Sequence, residues 1–515
     1  MTSSNMDTGT IAEQPEQDRP RFNRRSIVKT STALGAAVAL AGRAVSSTSA
    51  QQATPAASTA ASPAAASPAA AATPVGTPIV LQAGSMTSER SYIVAIDPAT
   101  LTITPILTAG EMVGDYQMAG TPDGLGAYKD GSDAIVFMNH ELTPEEAENI
   151  SFARISRLTL DGTTGAVTAG TYVIDGTEGY ERFCSASLAG PQEGFTNPTF
   201  LTGEESASGK FGGISVAVDG ATGKITQLPW LGHLSHENVV VVPGFSGKSV
   251  AVTTDDDSKG SELYLYVAAN EEGILGGSGQ LYVFKADAGK NTADIKKGAE
   301  LTGTFVPIDQ NDNSDQKTLQ TAADAAGAFK FVRLEDVTYD RNTTTTIYFA
   351  DTGDDKEPNL DPAGKPFTLN GRIYSMALDP ADPTKVTSLK VLLDGDNGDD
   401  IKNPDNIDAS DATIMILEDR NGYNRAENSD DTGRILAFDI ASGVLTTIAK
   451  IDQSAGDGLV DKGDEAGSWE TSGIINVADL FGKGTWLVDV QAHTLKVEQF
   501  GKMDQGGQLL MLTQK

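Results

Sequence analysis

The chain contains one cysteine, Cys184, in the segment YERFCSASLAG at residues 180–190. A lone thiol cannot form an internal disulfide bond, so it is expected to be buried and inert, chemically reactive, or bound to a metal ion. Which alternative holds depends on the compartment of the protein and on the side chains that surround Cys184.

Carboxylates are the second group of residues that could do chemistry. The chain has 70 Asp and Glu against 38 Lys and Arg, a formal net charge of −32. The acids are concentrated in TTDDDSKGSE (253–262), ADTGDDKEPNLD (350–361) and DGDNGDDIKNPDNID (394–408). Such loops can supply the oxygen ligands of calcium, with metal-free Asp-rich turns as the alternative. This charge argues against nucleic acid as a partner, because phosphates require basic residues.

Several acids lie where predicted strands begin or end. Two of them directly follow a histidine, in His140-Glu141 and His236-Glu237. Because adjacent side chains of a strand point to opposite faces, we expect one member of each pair to face a shared site. Comparable positions are occupied by Glu204, Glu205, Glu335, Asp405 and Glu470. Burying so many carboxylates without cations would be costly, which favours metal binding.

The elements that must position these residues are mostly short β-strands. Segments such as AIVFMNHE (134–141) and TIYFADTG (346–353) are rich in β-branched and aromatic residues and end in turn signals. Helices are expected only at PEEAENISFARISRL (144–158) and TLQTAADAAGAF (318–329). Hairpins repeated over a few hundred residues predict an all-β fold, either a β-propeller or a large sandwich, and we favour a β-propeller with loop and helical insertions. Its length suits six or seven blades, whose innermost strands would line a central channel.

The N-terminal region predicts export. Residues 1–50 contain Arg24-Arg25 followed by a short Ala- and Gly-rich apolar run and a small-residue cleavage site, the pattern of a twin-arginine signal peptide. Residues 51–77 are almost entirely Ala, Pro, Ser, Thr and Gln, which predicts a disordered tether. The propeller domain is expected over 78–515, as a monomer with no integral membrane segment. It would use the twin-arginine machinery and work in the periplasm, at the cell envelope or outside the cell.

Six motifs occur in the order found in the PhoX-type alkaline phosphatases, which this chain resembles. They are PDGLGAY…VFMNHE (122–141), CSASLAGPQEGFTNPTFLTGEE (184–205), LGHLSHENVVVVP (231–243), FVRLEDVTY (331–339), NPDNIDAS (403–410) and VDVQAHT (488–494). The resemblance implies a six-bladed propeller that holds a mixed Fe3+ and Ca2+ cluster in its channel. It also implies hydrolysis of phosphate monoesters.

The resemblance implies roles for individual residues. Iron ligands would be Cys184, Glu237 and Glu335, and Arg333 would bind phosphate. The calcium ligands implied by the weaker matches are Glu141, Glu204, Glu205, Asp405 and Glu470. The chain departs from the family pattern at Gly203, where a second cysteine is usual, and at Leu334, where proline is usual.

Two alternative functions follow from the same residues. The acidic loops and the departures from the family pattern would also suit a non-catalytic calcium-binding propeller. A calcium-dependent lactonase or esterase is a further alternative, since acids and Asn can hold a metal in a propeller channel. No Gly-x-Ser-x-Gly segment is present, which argues against serine-hydrolase chemistry of the α/β-hydrolase kind.

Overall fold

The computed structural model describes residues 78–144, 150–419, 432–456 and 468–515. All of these lie in one compact unit that spans Pro74–Lys515. The predicted export signal and tether, residues 1–77, lie outside the described residues, so both stay predictions. Among the described residues, no helix is long and apolar enough to cross a membrane.

The N-terminal part of the unit consists of five short strands. They are β1 (Val80–Leu81), β2 (Ile93–Ala95), β3 (Leu101–Thr108), β4 (Met112–Val113) and β5 (Tyr116–Gln117). Strands β1, β4 and β5 form a small sheet, whereas β2 and β3 join larger sheets formed later in the chain.

The rest of the described chain forms antiparallel units of four strands. The first two are β6 (Pro122–Asp130), β7 (Asp133–His140), β8 (Arg154–Leu160), β9 (Val167–Ile174) and then β10 (Phe183–Ala189), β11 (Thr199–Glu204), β12 (Ser215–Asp219), β13 (Ile225–Leu228). The next two are β14 (His236–Val242), β15 (Ser249–Asp255), β16 (Leu263–Ala268), β17 (Gln280–Ala286) and, after the connecting β18 (Glu300–Pro307), β19 (Leu334–Tyr339), β20 (Thr346–Asp351), β21 (Arg372–Asp379), β22 (Asp382–Asp394). The last two are β23 (Pro404–Ala409), β24 (Thr413–Glu418), β25 (Arg434–Asp439), β26 (Leu445–Ile451) and β27 (Glu470–Asn476), β28 (Thr485–Gln499), β29 (Lys502–Gln514).

These units are the blades of a propeller, six within the described residues. The first strand of each blade, here called the inner strand, lies beside the inner strand of the next blade, in the order β6, β10, β14, β19, β23 and β27. Strand β27 in turn lies beside β6, so the ring is closed. The sixth blade takes its fourth strand from near the start of the described chain, because β3 pairs with β29. The prediction of an all-β propeller is confirmed.

Each pair of neighbouring blades buries a hydrophobic cluster between its faces. Phe137 of the first blade, for example, stacks on Phe200 of the second with ring centroids 5.2 Å apart. Equivalent clusters lie between all the remaining pairs of neighbouring blades, including the sixth and the first. Because both faces of a blade are covered, its strands are apolar on both faces, and the polar residues gather at the strand ends.

Helices are few among the described residues. They are α1 (Glu271–Gly276), α2 (Gln316–Ala326) and α3 (Ala478–Phe481), with 3-10 turns at Pro191–Glu193, Pro229–Leu231, Thr292–Asp294, Gln310–Asp312 and Gln453–Gly456. The helix predicted at 318–329 corresponds to α2, in which Asp315 accepts a hydrogen bond from the Thr318 amide and Gly327 ends the helix in the left-handed conformation.

The other helix prediction, 144–158, is wrong over its described C-terminal part. Arg154–Leu160 forms β8, whose residues pair with β7 on one side and β9 on the other. Its buried and partly exposed residues follow the two-residue period of a strand beyond Ile155. Pairing with the neighbouring strands therefore determines the structure of this segment. Residues 145–149 lie outside the described residues.

Candidate metal and phosphate site

All six inner strands carry the same irregularity near their first residue. Regular pairing with the second strand of the blade is interrupted for two residues, as happens at a β-bulge. The interrupted pairs are Asp123-Gly124, Cys184-Ser185, Glu237-Asn238, Glu335-Asp336, Asp405-Asn406 and Ser472-Gly473. Because a bulge redirects side chains, and the inner strands form a closed ring, the repeated bulge brings these residues together at one level of the channel.

A repeated backbone bond adds a second set of residues at this level. In five blades the residue after the second strand donates its amide to the carbonyl of the residue before the inner strand. In the first two blades the donors are Glu141, bonded to Thr121 at 2.9 Å, and Glu205, bonded to Arg182 at 2.8 Å. The end of the second strand is thereby held beside the start of the inner strand.

Seven side chains from these two sets form what we call the acidic ring. They make three overlapping groups: Asp123, Glu141 and Cys184; Cys184, Glu205 and Glu237; and Glu237, Glu335 and Asp405. Within each group the candidate ligand atoms all lie within 4.8 Å of one another. Cys184 belongs to two groups, and so does Glu237. The acidic ring therefore offers a row of three adjoining cation positions.

The electrostatics of the acidic ring favour bound cations. Glu237 and Glu335 are fully buried, and burial, followed by the charges of neighbouring carboxylates, raises the pKa of each well above its ordinary value. Among the described residues, the Oε2 atoms of both glutamates are buried and have no hydrogen-bond partner. Buried carboxylate oxygens without partners are rare in stable proteins, and a metal ion would satisfy them. The residues present thus fit a metal site.

Cys184 lies in the middle of the acidic ring. Its Sγ is 3.4 Å from Oδ2 of Asp123, and burial together with the nearby carboxylates raises the pKa of the thiol well above its ordinary value. Its backbone carbonyl accepts a hydrogen bond of 2.6 Å from the side chain of Asn139, which fixes the bulge. In these surroundings a thiolate would need a cation beside it, so the site supports Cys184 as a ligand and not as a free nucleophile.

Arg333 lies directly before the inner strand β19. Its Nε and Nη2 atoms donate to the two carboxylate oxygens of Asp256 at 2.9 Å each, and Nη2 also lies 2.8 Å from Oε1 of Glu335. The side chain is only 6% exposed. A rigid guanidinium held beside the acidic ring is a fixed positive charge suited to bind a phosphoryl group.

Two predicted metal ligands lie outside the acidic ring. Glu204 accepts hydrogen bonds from the amides of Glu181 at 3.1 Å and Ile214 at 3.4 Å, and burial raises its pKa to about 7. Glu470 lies with Oε2 3.3 Å from Nε2 of His493. Neither joins a group of three candidate ligands within the described residues.

The histidines of the His-Glu pairs contact groups other than their glutamates. His140 is within hydrogen-bond distance of the Gly120 carbonyl at 3.0 Å and of Ser156 Oγ at 2.7 Å. His236 is likewise bonded to the Gly232 carbonyl at 2.9 Å. Burial lowers the pKa of both imidazoles to about 3, so both are neutral supports of the blades.

Sequence reasoning missed several residues at the site. Asp123 and Gln491 are the clearest, since Nε2 of Gln491 donates to Asp123 at 2.8 Å and to Glu141 at 2.9 Å. Ser185 was also missed, although its hydroxyl donates to Oε1 of Glu237 at 2.7 Å. A signal was present in the sequence: Asp123 and Asp405 both follow a proline at the start of an inner strand.

The departure from the family pattern at Gly203 has a steric reason. A Cβ atom added at Gly203 would lie 2.7 Å from Cγ of the buried His236 ring. A cysteine therefore cannot occupy this position unless the imidazole moves.

Comparison with known proteins agrees with this architecture. The sequence pattern of the alkaline phosphatase PhoX family matches residues 139–492. Among solved structures, Pseudomonas fluorescens PhoX in complex with vanadate, a transition state analogue, is similar in fold, with a TM-score of 0.60 and 14% identity over 84% of this chain and 97% of that one. A GH43_1 enzyme from Xanthomonas citri complexed with xylose gives a TM-score of only 0.32, with 9% identity over 80% of this chain and 90% of that one. No curated protein sequence matches the chain. The chain is a β-propeller hydrolase that belongs to the PhoX alkaline phosphatase family.

Proposed function

We propose that this phosphatase is an exported phosphomonoesterase, which hydrolyses small phosphate esters with Fe3+ and Ca2+ held in the acidic ring. The observation that carries the proposal is the pair of buried Oε2 atoms of Glu237 and Glu335, without hydrogen-bond partners in the described structure, next to the guanidinium of Arg333. Carboxylates aimed at one point beside a fixed cationic side chain suit a phosphate held between metal ions and arginine.

The ligand types divide the acidic ring between two metals. Iron is expected near Cys184, Glu237 and Glu335, because a thiolate is a soft ligand that calcium does not prefer. Calcium is expected where oxygen ligands dominate, at Glu141, Glu205 and Asp405. When bound, these cations would polarise the phosphoryl oxygens and neutralise charge that develops in the transition state.

The chain's own residues orient the site. The Ser185 hydroxyl holds Oε1 of Glu237 and leaves Oε2 facing the acidic ring. Asp256 fixes the Arg333 fork through two bonds of 2.9 Å, so its orientation is set before substrate arrives. The burial of these side chains in the channel keeps bulk water away and strengthens each charged interaction.

Hydrolysis of p-nitrophenyl phosphate by the natively exported protein tests the proposal. Turnover should be present with calcium and iron, fall on chelation, and be lost in Glu335→Gln, which keeps the shape of the side chain. Glu111→Gln is a matched control, because the amide oxygen can accept from the Thr108 amide while the NH2 group donates to the Thr87 hydroxyl. Metal-independent turnover, or full activity of Glu335→Gln, would overturn the proposal. A folded, calcium-loaded protein without turnover would support a binding propeller instead.

Export by the twin-arginine pathway is part of the proposed function. The support is the Arg24-Arg25 pair and the apolar run that follows it. Because that pathway moves folded proteins, the metal ions could be loaded before export. Replacing both arginines by lysine should keep the protein in the cytoplasm, as fractionation would show. Unchanged export of that variant would refute this route.

A further inference from the structure

A second arginine, Arg182, occupies the position in its blade that Arg333 occupies in another. Each is the residue directly before an inner strand, β10 or β19, and each precedes by two residues a member of the acidic ring. Both adopt the left-handed backbone conformation, with φ of 51° for Arg182 and 61° for Arg333. This conformation is uncommon for residues other than glycine and persists only where the surroundings enforce it.

The two arginines also have equivalent partners. Each arginine binds a carboxylate of the preceding blade, on the residue that follows the second strand of that blade. Arg182 binds Glu141 in this way, with Nη2 at 2.7 Å, and Arg333 binds Asp256, with Nη2 at 2.9 Å. Both contacts also use the Nε atom of the arginine, at 3.0 Å and 2.9 Å respectively.

Each arginine then binds a carboxylate of its own blade in the acidic ring. For Arg182 this is Glu205, with Nη2 2.5 Å from Oε2, and for Arg333 it is Glu335 at 2.8 Å. Glu205 belongs to the middle group of candidate ligands, and Glu335 to the third. Both arginine side chains are nearly buried, with exposed fractions of 9% and 6%. Because the middle and third groups of candidate ligands share Glu237, the two rigid guanidinium groups adjoin neighbouring cation positions.

We propose that Arg182 is a second phosphate-binding residue, which binds the same phosphoryl group as Arg333; this inference rests on the proposed function. A phosphate monoester offers several charged oxygens, and its transition state spreads charge over three of them. Nε and Nη2 of each guanidinium already donate to carboxylates, so one arginine cannot engage all three oxygens, and a second arginine would engage the rest. The competing explanation is that Arg182 only neutralises Glu141 and Glu205 and supports metal binding.

Arg182→Lys and Arg182→Gln distinguish these roles in the metal-loaded, full-length protein. Three quantities are measured: metal content, the KM for p-nitrophenyl phosphate, and the Kd of inorganic phosphate by calorimetry. Loss of a charge-assisted hydrogen bond should weaken phosphate binding and raise KM by about 10- to 100-fold in the Gln variant, with a smaller effect in the Lys variant. Metal content should stay at the wild-type value.

Arg434→Gln is the matched control, because Arg434 also joins two carboxylates, Glu418 at 2.7 Å and Asp400 at 2.8 Å, but lies on the third strand of its blade. It should leave the Kd for phosphate unchanged. Unchanged phosphate affinity in the Arg182 variants, or a loss of activity that follows metal loss alone, would overturn the inference.

The two proposals fail in different ways. If the wild-type protein binds phosphate through Arg182 but does not turn over the ester, the inference holds and the proposed function fails. If turnover is present and the Arg182 variants keep the wild-type KM and Kd, the proposed function holds and the inference fails. A wild-type protein that neither binds phosphate nor turns over would refute both.

Discussion

Glu237→Gln should have opposite effects on stability with and without metal ions. Glu237 is the carboxylate shared by two groups of the acidic ring, and its neighbours in those groups include Glu205, Glu335 and Asp405. In the metal-free protein Glu237 either stays ionised against these like charges or takes up a proton, and both alternatives cost folding free energy, so removing the carboxylate should stabilise the fold. In the metal-loaded protein the same change removes a ligand from two cation positions and should destabilise it.

The magnitude follows from the spacing within the groups. Two unit charges less than 5 Å apart interact by on the order of 3 kcal/mol at the effective dielectric of a protein site. One ionised neighbour is therefore enough to make metal-free Glu237→Gln more stable by about 3 kcal/mol, or roughly 3 °C in Tm for a domain of this size. The new amide can accept the Ser185 hydrogen bond through its oxygen, so that contact is kept.

Thermal unfolding with and without a chelator, together with elemental analysis, measures this effect. The chelator should lower the Tm of the wild-type protein much more than the Tm of Glu237→Gln, and the variant should bind fewer metal ions. Glu111→Gln serves again as a control, because its carboxylate is buried but lies outside the groups of the acidic ring. Its drop in Tm on chelation should equal that of the wild type.

One result would refute the reasoning. If Glu237→Gln is less stable than the wild type in the metal-free state and binds the same metal ions, the carboxylate serves as a hydrogen-bonding group of the core. The buried Oε2 atom would then have to find its partner in a protonated neighbour, and Glu237 would not be a metal ligand.

Three further predictions concern other parts of the molecule. Gly203→Ala should lower the free energy of unfolding by about 1–3 kcal/mol, because its Cβ would clash with the His236 ring. Denaturant titration checks this. If the losses of unfolding free energy caused by Gly203→Ala and His236→Ala simply added in the double variant, the clash would be contradicted. Cys184→Ser should abolish stoichiometric iron while calcium stays, as elemental analysis would show; retained iron would exclude the thiolate as a ligand. Burial raises the pKa of Asp351 to about 7, so the folded state binds this proton more tightly than the unfolded state, and stability from this group is lost between about pH 4 and pH 7. The Tm of Asp351→Asn should therefore fall less than the Tm of the wild type between pH 5 and pH 8. If Tm fell equally with pH in both proteins, the raised pKa of Asp351 would be contradicted.

The strands that follow the inner strand in each blade were predictable from the sequence, because they are rich in apolar and β-branched residues. The segment 346–353 was expected as a strand, and β20 occupies Thr346–Asp351 within it. The number of blades followed from the family resemblance, since spacing alone allowed six or seven.

Most inner strands were harder to find, with β14 the exception, because its run of four valines marks it as a strand. Strand β23 is PDNIDA, a sequence typical of a turn, and it forms a strand because its neighbours in the ring supply hydrogen bonds and bury it. One of its polar residues, Asp405, belongs to the acidic ring. Arg182 and Gln491 could not be identified as site residues for a related reason. Arg182 meets Glu141 only where two neighbouring blades pack together, and Gln491 meets Asp123 only when the ring closes.

The pairing of β3 with β29 has a consequence for biosynthesis. The sixth blade is completed by residues 502–514, which are synthesised long after Leu101–Thr108, the strand that pairs with them. Until residues 502–514 have been made, Asp123 of the first blade and Gln491 of the sixth cannot be fixed side by side by a closed ring. A chain that stops before residue 502 would therefore keep the proposed N-terminal export signal while lacking the finished acidic ring. If metal ions bind there, they would be inserted after these residues are made, and the proposed export route, which accepts folded cargo, would also reject unfinished copies.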